Sequence, residues 1–294
     1  MRRALGQALR IGVSAQAVSL LRTSRWRMGR ATPPVTVLAE HAFAPSADHL
    51  FDAIAQALRA LLGELELAGW PVSFVLADDL VRLWQVTPPA GATRMADLEA
   101  AAALRFHALY GESPAGWQTG ADWDAQKPFF AAAVPRALLA ELALVAQEYK
   151  LSVVGIAPHF VTAWNRWCRA VQAGAWFGLV HEQVLTLAVI DAAHQGAAHS
   201  VRAVRALPVP AGADHQWLAQ TIQREALLQN VPAPALLQVC GTAPAAWLRG
   251  GSAAAGGEGA AASQLACVAL DQVDRAAPQG ASPVVLLARG GVAA

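Results

Sequence analysis

Residues 71–86, PVSFVLADDLVRLWQV, open the stretch that decides the fold. They are followed by MADLEAAAALRFHALY (95–110), FFAAAV (129–134), PRALLAELALVAQEYK (135–150) and LSVVGIA (151–157). Val72–Ala77 and Val81–Val86 are short apolar runs and predict strands. Leu98, Ala102, Phe106 and Leu109 recur at helical spacing, and Gly111 follows as a stop. Phe129–Val134 predicts a strand. Pro135 stands where a first-turn proline belongs, and Leu138, Leu142, Val145 and Tyr149 form the stripe of the helix it opens. Leu151–Ala157 predicts a buried strand. Strands that alternate with helices in this way make an α/β protein.

On the amino-terminal side, Leu9–Val13 and Ala17–Thr23 predict a hairpin joined by Ser14-Ala15-Gln16, and Val35–His41 a third strand. A helix starts at Pro45-Ser46, turns Leu50, Ile54, Leu58, Leu61 and Leu65 inward, and ends at Gly69. On the other side, Pro158 starts a helix with Phe160, Trp164, Trp167 and Val171 on one face, closed by Gly174. Trp176–Val180 and Val184–Ile190 predict a second hairpin, with His181-Glu182-Gln183 at the bend. Ser200–Leu207 reads as a half-exposed strand, Ala213–Asn230 as a helix and Leu236–Cys240 as a buried strand. Leu265–Leu270 and Val284–Ala288 are candidate late strands, and the Gly/Ala run Gly250–Ser263 is a flexible insertion. The expectation is two lobes, 1–174 and 175–294. The first carries an inserted small α/β subdomain at about 79–150, the second the insertion at 250–263.

The 294 residues exceed one core of ordinary size. With 55% hydrophobic and 15% charged residues, the chain has the material to fold. A net charge of +1 gives no ground for nucleic-acid binding. Arg2, Arg3, Arg10, Arg22, Arg25, Arg27 and Arg30 all precede the first acidic residue, Glu40. That segment reads as a solvated hairpin edge, with contact to an anionic leaflet as the alternative. Cys168, Cys240 and Cys267 are far apart and form no CxxC, which predicts reduced thiols. No uninterrupted apolar run reaches about 18 residues, so no membrane span is expected.

The catalytic inventory is sparse. The only lysines, Lys127 and Lys150, do not follow GxxxxG, and GxSxG is missing. His181-Glu182 begins HExxH, but Leu185 stands at the second histidine position. His194 and His199 read as a satisfied or solvated pair rather than a metal site. Asp78-Asp79 reads as a turn or helix cap, with paired acid/base carboxylates as the alternative. Among ten tryptophans, Trp164 and Trp167 share a core-facing stripe. Trp117 and Trp123, with polar neighbours, are candidates for an exposed contact surface. No catalytic residue and no metal ligand is predicted.

The order of elements resembles the actin-like (ribonuclease H-like) superfamily, and more narrowly PilM-like pilus-assembly proteins and the cytoplasmic domains of GspL-type secretion proteins. LRIGVSAQAVSLL (9–21) sits where that family has its first phosphate hairpin, and WFGLVHEQVLTLA (176–188) resembles the second. FVLADDLVR (74–82) resembles the strand entering the inserted subdomain, and GIAPH (155–159) the return strand and helix start. LQVCGTA (237–243) resembles the strand and turn that meet adenosine. ATP-binding members carry an Asp and a Gly-Ser/Thr-rich turn in the first hairpin; here Gly12 falls at or near the Asp and the turn is Ser14-Ala15-Gln16. The second hairpin has Val180-His181-Glu182 where Asp-x-Gly is expected, and the adenosine turn keeps one glycine, Gly241. Ser14, Gln16, Gly241 and Thr242 therefore occupy degenerate nucleotide-loop positions.

The resemblance implies a cytoplasmic pseudo-ATPase, peripheral at the inner membrane, that scaffolds a type IV pilus or type II secretion platform without a cofactor. The implied partners are the cytoplasmic segment of a bitopic membrane protein and the assembly motor ATPase, with no nucleic acid. The alternative is a divergent actin-like ATPase or small-molecule kinase, for which Asp78 or Glu182 would have to supply the carboxylate near the phosphates.

Overall fold

A computed structural model describes residues 6–24, 35–44, 49–190, 201–250, 265–271 and 281–290. The predicted flexible insertion at 250–263 and the His194/His199 pair lie outside the described residues, except for Gly250. The chain divides into two compact units, residues 1–166 with 276–294, and residues 167–275.

The first unit is built on a five-stranded sheet. β1 (Gln7–Val13) and β2 (Ala17–Ser24) form the expected hairpin, and β3 (Val35–Ala42) pairs antiparallel with β2. β4 (Pro71–Leu76) runs parallel to β1, and β8 (Ser152–Pro158) parallel to β4, giving the order β3-β2-β1-β4-β8. One sheet face takes Leu9, Ile11, Val13, Phe74 and Leu76, all buried. α1 (Leu50–Leu62), with Ile54, Leu58 and Leu61 buried, packs against β2 and β3, and α3 (Arg136–Glu148) against α1.

α1 ends at Leu62 with Gly63 as its cap, a turn earlier than expected; Leu65 lies beyond it and Gly69 belongs to the following turn with φ 77°. The other sheet face is covered by α7 (Pro283–Arg289). Val284–Ala288 was expected as a strand. It is instead a helix whose first turn holds Pro283 and whose cap Ser282 accepts a hydrogen bond from the Val285 N–H. The carboxy-terminal helix therefore packs in the first unit, whereas the sequence division places 175–294 together in the second lobe.

Between β4 and β8 lies a three-stranded antiparallel sheet in the order β5-β7-β6. Its strands are β5 (Arg82–Val86), β6 (Trp117–Ala121) and β7 (Phe129–Pro135). α2 (Met95–Tyr110) lays Leu98, Ala102 and Phe106 over Trp84, Val86, Phe129 and Ala131. Leu109, expected on that face, is 41% exposed. Gly111 caps α2 at φ 68°. Trp117 and Trp123, expected on an exposed surface, are half-buried against this core: Trp117 lies 5.5 Å from Phe106 and Trp123 5.7 Å from Phe129, centroid to centroid. Arg82 sits over both Trp117 and Tyr110, 5.1 and 5.4 Å from their ring centroids, and its Nη2 donates to Glu112 Oε1.

β8 is followed directly by α4 (His159–Trp167). β8 was expected to be buried, but Ser152–Gly155 are exposed because the strand forms the sheet's edge.

The second unit repeats the first unit's strand pattern. β9 (Trp176–His181) and β10 (Val184–Ile190) form a hairpin, and β11 (Val201–Pro208) pairs antiparallel with β10. β12 (Leu236–Gly241) runs parallel to β9, and β13 (Ala266–Ala269) parallel to β12, giving β11-β10-β9-β12-β13. α5 (His215–Leu228), capped by the Asp214 side chain, and α6 (Ala245–Gly250) bury Leu218, Ile222 and Trp247 against Leu185, Leu187, Leu237 and Val239.

Candidate functional site

The first hairpin turn is closed on itself. Ser14 is fully buried. Its Oγ accepts from the N–H of Gln16 (3.3 Å) and of Ala17 (3.1 Å), and lies 3.2 Å from the Ala17 carbonyl, to which it donates. The Gln16 carbonyl accepts from the Phe43 N–H at 2.8 Å. The turn thus uses two of its amides and its hydroxyl internally, where a phosphate cradle needs amides pointing outward.

Gly12, one strand residue before the turn, is opposite Ser19. A Cβ built there would meet the Val284 carbonyl oxygen at 2.6 Å, Ser19 Oγ at 2.9 Å and the Ala288 Cβ at 3.0 Å. Ser19 Oγ donates to that same carbonyl at 2.8 Å. No carboxylate fits at Gly12 while α7 lies on this face.

In the second unit, the β9–β10 turn is formed by Glu182, with φ 51°, and Gln183. His181 ends β9 and is only 6% exposed, and burial holds its pKa down to about 4. It is therefore neutral at pH 7, with Nε2 3.7 Å from Glu182 Oε1. Val180 stands where the resemblance expects the Mg²⁺-holding Asp of this hairpin, and the neutral, buried imidazole next to it supplies no carboxylate in its stead. The Gln183 carbonyl accepts from the Val209 N–H at 2.7 Å, so this bend also spends a polar group internally.

The adenosine-turn positions are closed in the same manner. Gly241 has φ 89° and its N–H donates to Asp271 Oδ2 at 2.8 Å. The Thr242 N–H donates to the Val180 carbonyl at 2.8 Å, and Thr242 Oγ1 to the same oxygen at 3.3 Å. Ser14 and Gln16 therefore share one turn of the first unit, and Gly241 and Thr242 one turn of the second. Asp271 escaped the sequence reading, because it lies 30 residues from Gly241 and carries no local motif.

Asp78 is buried and its Oδ1 accepts from the Phe160 N–H at 2.9 Å, so it caps the first turn of α4 from 82 residues away. That is the cap reading of Asp78-Asp79. His159, beside it, is 3% exposed, and a Cβ added at Gly290 would meet its Nε2 at 3.0 Å. Among the described residues, no group of three or more His, Cys, Asp or Glu is placed to hold a metal, and no helix is long and apolar enough to cross a membrane. Cys168, Cys240 and Cys267 are free thiols.

No protein-family model matches the sequence, and no curated protein matches it. Solved structures do match. A chain of a PilM–PilN type IV pilus biogenesis complex superposes with a TM-score of 0.60 at 14% identity, over 97% of this chain and 98% of that one. A Bacteroides thetaiotaomicron protein with an actin-like ATPase fold and unknown function gives 0.55 at 9% identity, over 82% and 84%. The cytoplasmic domain of EpsL, an inner-membrane component of the type II secretion system of Vibrio cholerae, gives 0.49 at 14% identity, over 79% and 81%. At these identities the first two establish the fold, which is actin-like, as the order of elements in the sequence implies.

Proposed function

We propose that this actin-like chain is a pseudo-ATPase adaptor of a type IV pilus or type II secretion platform. It works in the cytoplasm against the inner membrane and grips the cytoplasmic segment of a bitopic membrane protein. The observation that carries the first half of this reading is the closure of the nucleotide-loop positions on themselves. Ser14 Oγ is engaged by its own turn, the Gly241 N–H by Asp271 and the Thr242 N–H by Val180, while Val180 stands where the Asp of the second hairpin is expected and His181 beside it is neutral. A triphosphate brings several negative charges, the first loop holds no carboxylate, and the one carboxylate of the second, Glu182, stands where the Gly of Asp-x-Gly is expected. The second half rests on the likeness to a chain of a PilM–PilN type IV pilus biogenesis complex. The partner segment would be held as an extended peptide, by strand addition at a sheet edge or in a groove.

Isothermal calorimetry with ATP, with and without Mg²⁺, tests the first half. No heat at millimolar nucleotide is expected, and micromolar Mg²⁺-dependent binding would overturn it. Fluorescence anisotropy with a labelled peptide, taken from the cytoplasmic segment of a bitopic pilus or secretion protein encoded beside this chain, tests the second. Saturable binding is expected, and no binding at about 1 mM protein, weaker than about −4 kcal/mol, would sink it.

A further inference from the structure

We propose that Arg10 of β1 and Arg166 of α4 form a binding site for a small, doubly charged oxyanion of the phosphate class. The inference goes beyond the adaptor reading and does not depend on it. Arg10 stands on the central strand of the five-stranded sheet, opposite Leu21 on one side and Ser73 on the other. Side chains alternate between the two faces along a strand. Leu9, Ile11 and Val13 fill one face, so Arg10 lies with Gly12 on the face that α7 covers. Its Nη1 has no contact with solvent and no hydrogen-bond partner. Arg59, Arg82, Arg205 and Arg224 each have a carboxylate oxygen within 3.5 Å. No carboxylate among the described residues answers Arg10.

The charge that does bear on Arg10 has the same sign. Arg166, in the last turn of α4, is close enough for its guanidinium to oppose that of Arg10, and its Nε is shielded from solvent as well. Burial first, and Arg166 second, hold Arg10 below the ordinary arginine range. An arginine nevertheless stays charged at pH 7, so losing a proton does not relieve the site. A buried cation with nothing to balance it is costly, and a second cation beside it adds to the cost. An anion between the two removes both costs.

The charge count selects the anion. A carboxylate carries one charge and leaves half of the pair unanswered. A phosphate group carries about 1.5 to 2 negative charges near pH 7 and several acceptor oxygens, which suits two guanidiniums that each donate through a planar fork. Arg10 as a whole is half-buried, so solvent reaches the residue but not its Nη1. The occupant is therefore a compact free anion rather than a headgroup fixed in a bilayer. Nothing in this pair calls for a metal, so binding is independent of Mg²⁺, and its failure is separate from that of the nucleotide reading. A few charge-assisted hydrogen bonds, set against stripping water from the ion, give a Kd on the order of 1 mM.

Inorganic phosphate is the probe. Thermal unfolding of the full chain is followed at pH 7 up to about 10 mM phosphate, roughly ten times this Kd, with sodium chloride holding the ionic strength constant. The folding equilibrium of the wild type is expected to shift about tenfold, which raises the unfolding midpoint by about 3 °C. Arg10→Met keeps an apolar stem and removes the charge. It is expected to lose this rise and, in phosphate-free buffer, to unfold no lower than the wild type, because the charge it removes is unanswered there. An arginine that served only to bond within the fold would leave a less stable variant. Calorimetric titration with phosphate reads the site without unfolding. Saturable heat is expected for the wild type, and binding roughly tenfold weaker or less for Arg166→Met. A wild type with neither heat nor rise overturns the proposal. So does a rise of equal size in Arg10→Met, which is the general salting effect of phosphate, or an Arg10→Met chain less stable than the wild type without phosphate. Binding to phosphatidic acid vesicles but not to free phosphate, lost with Arg10→Met, overturns the free-anion assignment and gives the pair to a lipid headgroup.

Discussion

Gly241 and the Val180 carbonyl are in such close approach that a Cβ at position 241 would lie 2.1 Å from the oxygen. The backbone there has φ 89°, a region L side chains avoid. Gly241→Ala therefore meets two penalties, conformational and steric, and neither partner can move without breaking the pairing of β12 with β9. The expected loss of stability is about 4 kcal/mol, read as a lower urea midpoint. Gly69→Ala is the control. Gly69 has φ 77° but nothing within 4 Å of an added Cβ, so it is expected to cost about 1 kcal/mol. Equal losses at the two sites would mean that the Val180 contact contributes nothing.

Gly12 offers a test of why the first hairpin holds no carboxylate. If the missing Asp were a simple omission, Gly12→Asp would restore metal-dependent nucleotide binding. The Val284 carbonyl and Ser19 Oγ fill that space, so an Asp there must displace α7. The expected outcome is a loss of about 3 kcal/mol or more from overpacking and a buried charge, with no nucleotide binding by calorimetry.

Much of this architecture is legible in the sequence. The two hairpins, α2, α3, α5 and β12 stand where alternation and helical spacing put them, because each has a strong local pattern and a turn residue at its end. What escaped depends on neighbours rather than on local pattern. The run Val284–Ala288 is too short for periodicity to separate strand from helix, and the Ser282-Pro283 start signal was the better guide. β8 reads as buried from its valines, but its place at the sheet edge leaves Val154 62% exposed. Trp117 has polar sequence neighbours and packs on Phe106 all the same. At the nucleotide-loop positions, the sequence marks the missing carboxylate and glycines. It gives no hint that Asp271 occupies the Gly241 amide, since that contact is made by the fold.

Asp78 links the end of β4 to the start of α4 through the Phe160 N–H. With the side chain buried, Asp78→Ala leaves an N–H of the first turn without its acceptor and is expected to cost about 2 kcal/mol. Asp78→Asn keeps an acceptor oxygen and is expected to cost less than half as much. Chemical denaturation of the two variants separates them. An Asn variant as unstable as the Ala variant would show that the charge, and not the hydrogen bond, matters.

His181 predicts a pH dependence with a definite sign. Its folded pKa, about 4, lies below the ordinary 6.5, so the unfolded chain binds more protons between those values. The stability of the neutral folded form is fully present above pH 6.5 and is lost as pH falls toward 4, by about 3 kcal/mol in all. Carboxylates also titrate in this range, so the useful quantity is the difference between wild type and His181→Gln. That difference in unfolding free energy is expected to shift against the wild type by this amount between pH 7 and pH 4. A pH-independent difference would mean that the imidazole is as solvated in the folded chain as in the unfolded one.

Cys267 and Cys168 predict opposite reactivities. Cys267 lies in the core of the second unit, 4% exposed, and burial pushes its thiol pKa up to about 12. The thiolate is the nucleophile, so at pH 8 Cys267 is both inaccessible and almost wholly protonated. Cys240 is 3% exposed and equally shielded, while Cys168 is half-buried. Iodoacetamide at pH 8 is expected to place a single adduct on the native protein, at Cys168, and three after unfolding in urea, read by intact mass and peptide mapping. Modification of Cys267 in the native chain, at a rate near that of Cys168, would mean that β13 opens on the labelling timescale. The closure of the Gly241 turn by Asp271, just beyond β13, would then be a populated state in exchange with an open one rather than a fixed feature.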